Sequence, residues 1–184
     1  MYKKYLQKYS NDWEKEFFLE SEKIKTLLCS KIKDIQHIGS TSIPGMMAKP
    51  IIDMSVLVNS INDISFFVEK LKFLDYIYQP EMSSVERIFF RKGDPTKYHL
   101  SITCSKHSFW SRQILFRNYL RKYPKFVEEY NTLKLNNIKI TPKEDFDDLS
   151  RSKIYNQGKG DFVAKILKLA EKEKLVNNNF RSDK

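Results

Sequence analysis

The stretch that decides the fold runs from His37 to Val58 and reads HIGSTSIPGMMAKPIIDMSVLV. Its second half, Lys49–Val58, is β-branched and apolar apart from Asp53 and Ser55, the pattern of a buried strand. Upstream, a short β segment at Asp34–Ile38 runs into GSTSIPG, a cluster of turn and capping residues. Gly39 lets a ligand approach the backbone closely. Ser40, Thr41 and Ser42 offer hydroxyls and N–H groups where a helix is expected to begin, a place that favours an anion such as phosphate. A carboxylate in an apolar strand is costly unless it is paired or binds a metal, so Asp53 marks a candidate site. Ser55, two residues on, shares its strand face.

Working outward, residues 84–92 (SVERIFFRK) and 97–104 (KYHLSITC) read as two strands joined by the turn GDPT. The period of two puts Arg87, Phe89 and Arg91 on one face of the first strand. It puts His99, Ser101 and Thr103 on one face of the second, with Tyr98, Leu100, Ile102 and Cys104 toward the core. If Asp53/Ser55 and His99/Ser101 look the same way, one sheet face becomes a polar cleft beside the Gly-Ser turn. Such a cleft is equipped for a metal–nucleotide complex. Helical spacing of apolar residues predicts helices over 12–35 and 61–74. After Cys104 the chain turns helical, over 108–122, 124–136 and 142–175, with a Pro-Lys-Glu-Asp first turn and a kink at Gly158 and Gly160 in the last. The pattern is α+β: a mixed β-sheet with helices packed on one face, then a helical C-terminal half. It forms one domain over 1–176 with a frayed tail at 177–184.

Composition narrows the function classes. The chain has 184 residues, which suits one domain. Thirteen Phe and ten Tyr supply core. No apolar run approaches the roughly 18 residues that span a bilayer, and the N-terminus shows no signal-peptide pattern. Two cysteines, Cys29 and Cys104, make neither a disulfide framework nor a four-cysteine zinc site. The expectation is a cytoplasmic protein with no membrane partner. The net charge of +10 suits phosphate-bearing ligands. It also fits a solvated lysine surface, and Lys159, in NQGKGDF, reads as part of one, with an approach to the cleft from the C-terminal helix as its alternative. Nucleic acid is the weaker partner class, because no stacking motif or groove-reading helix is present. The oligomeric state is not legible.

The segments HIGSTSIPGMMAKPIID, RIFFRK, YHLSIT, LFRNYLRKYP, EEYNTLK and KIYNQGKGDFV, in this order, resemble the GrpB family of small bacterial proteins. The resemblance implies a nucleotidyltransferase-like fold of the polymerase-β type. In that superfamily a Gly-Ser turn holds the triphosphate. Two carboxylates one residue apart, with a third from a later strand, bind Mg²⁺. Here Gly39–Ser40 matches the turn and Asp53 the first carboxylate. Ser55 stands at the second position, and the later strand offers His99 and Ser101 in place of an acid. The resemblance therefore implies a nucleotide and Mg²⁺ (or Mn²⁺), with Asp53 as metal ligand and His99 as ligand or general base. Gly39, Ser40, Thr41, Ser42, Arg87 and Arg91 are the candidate phosphate contacts. His37, Lys49, Ser55 and Ser101 are the candidate supporting residues. The reaction implied is nucleotidyl transfer to an unknown small-molecule acceptor. A second reading is a non-catalytic nucleotide- or coenzyme-binding module with a degenerate metal site. Each residue also has a structural role open to it: Asp53 as an ion-pair partner, His99 and His37 as core histidines, the arginines as edge-strand shields.

Overall fold

The computed structural model describes residues 5–144 and 152–182, with side chains to Lys174. A five-stranded sheet has the order β1-β2-β5-β4-β3, with β1 at Ile32–Ile38, β2 at Ile52–Val58, β3 at Ile77–Tyr78, β4 at Ile88–Lys92 and β5 at Tyr98–Cys104. All neighbours are antiparallel except β2 and β5, which run parallel. Helix α1 spans Asp12–Leu28 and α2 spans Ile64–Lys72. They cover one sheet face with Trp13, Ile24, Leu28, Phe67 and Leu71, packed on Met54, Val56, Phe90, Leu100 and Ile102. Alternation along the strands dictates that core, since every second residue of Ile52–Val58 and of Tyr98–Cys104 is apolar and buried. Among the described residues no helix is long and apolar enough to cross a membrane.

The helical half consists of α3 (Phe109–Lys122), α4 (Pro124–Ile140), α5 (Lys153–Asn156) and α6 (Lys159–Ser182). It builds a second apolar cluster, in which Leu120, Val127, Tyr130, Phe162 and Ile166 enclose Ile43 and Met46. Those last two belong to the segment between β1 and β2, so the helical half packs directly on the Gly-Ser turn.

Four boundaries differ from the sequence expectation. Helix α1 stops at Leu28, well short of residue 35, because Ile32 already pairs with Val58 in the sheet. The two-residue strand β3 carries too short a pattern to be read. The helix expected over 142–175 is interrupted: Gly158 has φ +69°, a left-handed backbone that ends α5 before α6 starts. The Asp of its expected first turn, at 145, lies outside the described residues. Helix α6 runs on to Ser182, through most of the stretch read as a frayed tail.

The turn itself is tighter than expected. No regular helix follows Gly39. A single 3₁₀ turn, Ser40–Ser42, leads into an extended Ile43. Gly39 has φ +68°, and a Cβ there would lie 2.9 Å from the Asp53 Cβ and still closer to its Oδ2. The close approach that glycine permits is therefore made by Asp53 itself. Replacing Gly39 with Val adds left-handed strain to an overlap with Asp53. It should cost about 2–4 kcal/mol of stability in urea unfolding. A variant within 0.5 kcal/mol of the parent by that measurement would contradict this packing.

His37 pairs with Met54 across β1–β2, on the core face and away from Asp53. Its ring stacks on Phe17 at 4.9 Å. The Thr41 hydroxyl donates to the Ile51 carbonyl at 3.2 Å, so His37 Nε2, 2.9 Å away, must donate to Thr41. Burial pushes the His37 imidazole down to about 4, against the pull of Asp53 and with help from Arg121 and Arg117. The unfolded chain takes up this proton near 6.5 and the folded one only near 4. The stability held by neutral His37 is thus complete above pH 6.5 and lost as pH falls toward 4, about 3 kcal/mol in all. Urea unfolding at several pH values should show this acid limb, and His37→Gln should flatten it.

Candidate functional site

The parallel pairing of β2 with β5 sets Asp53 opposite His99 and Ser55 opposite Ser101. Antiparallel pairing of β4 with β5 sets Arg91 opposite His99 and Phe89 opposite Ser101. The expected polar face is therefore assembled. Asp53 Oδ1 accepts a hydrogen bond from His99 Nδ1 at 2.9 Å. With the proton on Nδ1, Nε2 is left as the acceptor nitrogen of His99. The Phe89 ring lies 5.2 Å from the imidazole and limits its rotation.

These residues border a cleft of about 290 Å³, lined by Ser40, Thr41, Lys49, Asp53, Arg87 and His99 together with Met82, Phe89, Tyr155, Asn156 and Lys159. Six of the sequence-derived site residues thus converge on it. The others lie around it. Gly39 sits beneath Asp53. Ser42 is buried and its hydroxyl donates to the Gly39 carbonyl at 2.6 Å. The Thr41 hydroxyl is engaged with His37 and Ile51. Of the three turn hydroxyls, Ser40 is the one directed at the cleft and still able to donate. Ser101 is buried and accepts from Arg87 Nη1 at 3.4 Å. Ser55 is fully buried and its Oγ has no hydrogen-bond partner among the described residues. It shares the face of Asp53 yet lies too deep to line the cleft. Arg91 directs Nη2 to the Met82 sulfur at 3.2 Å. Arg87 bonds the Met82 carbonyl at 3.2 Å and stacks 4.6 Å from Phe89 and 5.1 Å from Phe109.

Among the described residues no group of three His, Cys, Asp or Glu side chains is placed to hold a metal. Asp53 is the one carboxylate lining the cleft among the described residues, and its Oδ1 is bonded to His99. Ser55, where a second carboxylate would stand, is sealed in the sheet.

Sequence reasoning missed Lys134 and raised Lys159 as a cleft residue without choosing it. Lys159, read as solvent-exposed, lines the cleft, its amine 3.1 Å from the Tyr155 ring centre and 3.3 Å from Asn156 Oδ1. Lys134 is buried, donates to the Met47 carbonyl, and lies 3.4 Å from the Ser40 hydroxyl and 4.6 Å from the Tyr130 ring centre. Burial, together with Lys49 and Lys134, pushes the Lys159 amine down to about 6; burial alone pushes Lys134 down to about 7. The same helices brace the turn from behind. Arg121 donates twice to the Ser42 carbonyl, at 2.9 and 2.6 Å. Arg117 donates to the His37 carbonyl at 2.8 Å. Asn131 bonds Met47 N at 2.7 Å and the Gly45 carbonyl at 2.9 Å. The signal that pointed to these residues was the quoted segments themselves, LFRNYLRKYP, EEYNTLK and KIYNQGKGDFV, each of which sends side chains to the turn or the cleft.

The crystal structure of the conserved protein GrpB from Enterococcus faecalis superposes with a TM-score of 0.79 at 30% identity, over 92% of this chain and 99% of that one. The UPF0157 protein YqkA of Bacillus subtilis is 35% identical over 93% of this chain and 48% of its own length. The glutamate-rich protein GrpB of Alkalihalophilus pseudofirmus is 33% identical over 86% of this chain and 91% of its own. The chain thus spans about half of the first of these two relatives and nearly all of the second. The Cid1 poly(U) polymerase, in a crystal structure bound to MgATP, shares the fold with a TM-score of 0.50 at 14% identity, over 73% of this chain and 46% of that one. The sheet is accordingly of the nucleotidyltransferase type. Residues 4–169 match the GrpB protein family, and the chain belongs to that family.

Proposed function

We propose that this protein binds a nucleoside triphosphate in the cleft and transfers its nucleotidyl group to a small acceptor. The observation that carries the reading is the Asp53–His99 hydrogen bond at the edge of the Ser40 turn, within a nucleotidyltransferase-type sheet. In this reading Asp53 holds the His99 ring and its Nδ1 proton. His99 Nε2 then accepts the proton of an acceptor hydroxyl as that oxygen bonds to the α-phosphorus and pyrophosphate departs. Ser40 donates to a phosphate oxygen, and the guanidinium of Arg87, held against Phe89, faces the negative charge that accumulates on the phosphates. Thr41, Ser42 and His37 serve the turn and touch no ligand. No step runs through Mg²⁺ or Mn²⁺. The cytoplasm, where nucleotides are abundant, remains the proposed location.

One observation favours a second reading. The buried, unpartnered Ser55 hydroxyl occupies the place of a metal-binding carboxylate, as in a site that binds nucleotide without turning it over. The two readings separate in one experiment. Labelled nucleoside triphosphates are incubated with a panel of small hydroxyl and amine acceptors, with and without Mg²⁺ or Mn²⁺, and pyrophosphate release is measured. Transfer predicts release that falls about 10²–10⁴-fold in His99→Gln, with a smaller nucleotide-affinity change. Release that is unaffected in His99→Gln would overturn the assigned base. Nucleotide binding with no release for any acceptor would select the second reading.

A further inference from the structure

Arg87 immediately precedes β4 and lines the cleft. Its guanidinium carbon lies 4.6 Å from the centre of the Phe89 ring and 5.1 Å from that of Phe109. Both fall within the roughly 6 Å over which an aromatic face attracts a cation. Phe89 is a neighbour in β4, but Phe109 is the first residue of α3 and is not among the residues lining the cleft. Two hydrogen bonds to Glu86 bring the start of α3 to Arg87. The Thr103 hydroxyl, from β5, donates to the Glu86 carbonyl at 2.7 Å, and the Ser108 hydroxyl donates to the Glu86 carboxylate at 3.1 Å. Two more bonds orient the guanidinium itself: Nη1 donates to Ser101 Oγ at 3.4 Å and Nη2 to the Met82 carbonyl at 3.2 Å. The other N–H groups of the fork are left for the cleft. Burial opposes the charge of Arg87, and the Asp53 carboxylate supports it.

We propose that Phe109 is a positioning residue that acts through Arg87: its ring, with that of Phe89, holds the guanidinium in place at the cleft before the nucleotide arrives. This rests on the nucleotide reading and adds to it a residue of the helical half. Ser101 and Met82 direct the edge of the fork, while the two rings restrain its carbon. The ligand meets a donor that is already ordered, so less side-chain freedom is lost on binding. The chemistry of the ring matters here, and its bulk alone does not suffice. A leucine fills similar space but offers no π face to the cation, whereas a tyrosine keeps that face. The same contact joins the start of α3 to the cleft, so the helical half orients a guanidinium of the sheet as well as the Ser40 turn.

The test joins NMR of the ¹⁵N-labelled protein to calorimetric titration of the four common nucleoside triphosphates in the presence of Mg²⁺. The Arg87 Nε–H signal, identified by its loss in Arg87→Gln, should lie upfield of the signals of exposed arginines, because the two rings shield it. Phe109→Leu should return it toward those signals, and Phe109→Tyr should leave it shifted. Nucleotide affinity should fall about three- to ten-fold in Phe109→Leu and stay nearly normal in Phe109→Tyr. With Arg87→Gln already present, Phe109→Leu should have little further effect. Melting curves confirm that each variant is folded. An Arg87 signal unmoved by Phe109→Leu, equal affinity losses in the Leu and Tyr variants, or the same loss with Arg87→Gln as without it would overturn the positioning role and leave the nucleotide reading intact. A ring-dependent Arg87 signal in a protein that binds none of the nucleotides would support the positioning of Arg87 and overturn the nucleotide reading.

Discussion

The in-register parallel pairing of β2 with β5 is the constraint on which the rest of the molecule depends. It places Asp53 beside His99, two central-strand residues 46 positions apart, and lets them meet at 2.9 Å. A slip of one residue between the two strands would turn one of these side chains into the apolar core and part it from the other. The register is fixed by burial, since Ile52, Met54, Val56, Leu100 and Ile102 all have essentially no exposure on the opposite face. Asp53 then needs room, and Gly39 provides it by having no side chain where the carboxylate lies. The short turn that follows is consequently held at one fixed distance from the carboxylate.

The helical half completes what the sheet begins. A three-residue 3₁₀ turn has little stability of its own. Arg117, Arg121 and Asn131 hold it and the segment after it by their carbonyls and amide, and the cluster around Ile43 and Met46 anchors it from below. Lys134 arrives on α4 with Asn131, and Lys159 on α6 with Phe162 and Ile166. One architectural device thus supplies both the rigidity of the turn and the positive charge of the cleft. The sheet is of the nucleotidyltransferase type, and the residue that shares the face of Asp53, Ser55, is a buried hydroxyl.

Much of this was legible in the sequence. Alternation in Tyr98–Cys104 and in Lys49–Val58 indicated the faces of each strand, pairing Asp53 with Ser55, His99 with Ser101 and Phe89 with Arg91; that these faces coincide follows from the register. The same parity applied to Ile38 and Asp53 would have shown His37 facing the core, since it is one residue out of phase. Depth was not legible: Ser55 and Asp53 have equal claim to the cleft by period, and only the packing above the sheet seals one and opens the other. Lys134 and Lys159 were not legible either. A lysine on an amphipathic helix has the same local signature whether it is solvated or buried, and Lys134 meets Ser40 from 94 residues away. The resemblance carried by EEYNTLK and KIYNQGKGDFV marked their neighbourhoods without stating their purpose.

We propose that one cleft holds the nucleotide, with its phosphates at the Ser40 turn and its reacting phosphorus toward His99. A crystal structure of the protein grown with a non-hydrolysable nucleoside triphosphate analogue tests it most directly. A bound analogue should have its phosphates within hydrogen-bond distance of Ser40 Oγ and its α-phosphate on the side of His99 Nε2. An analogue seated outside the Asp53–His99 cleft would contradict the proposal.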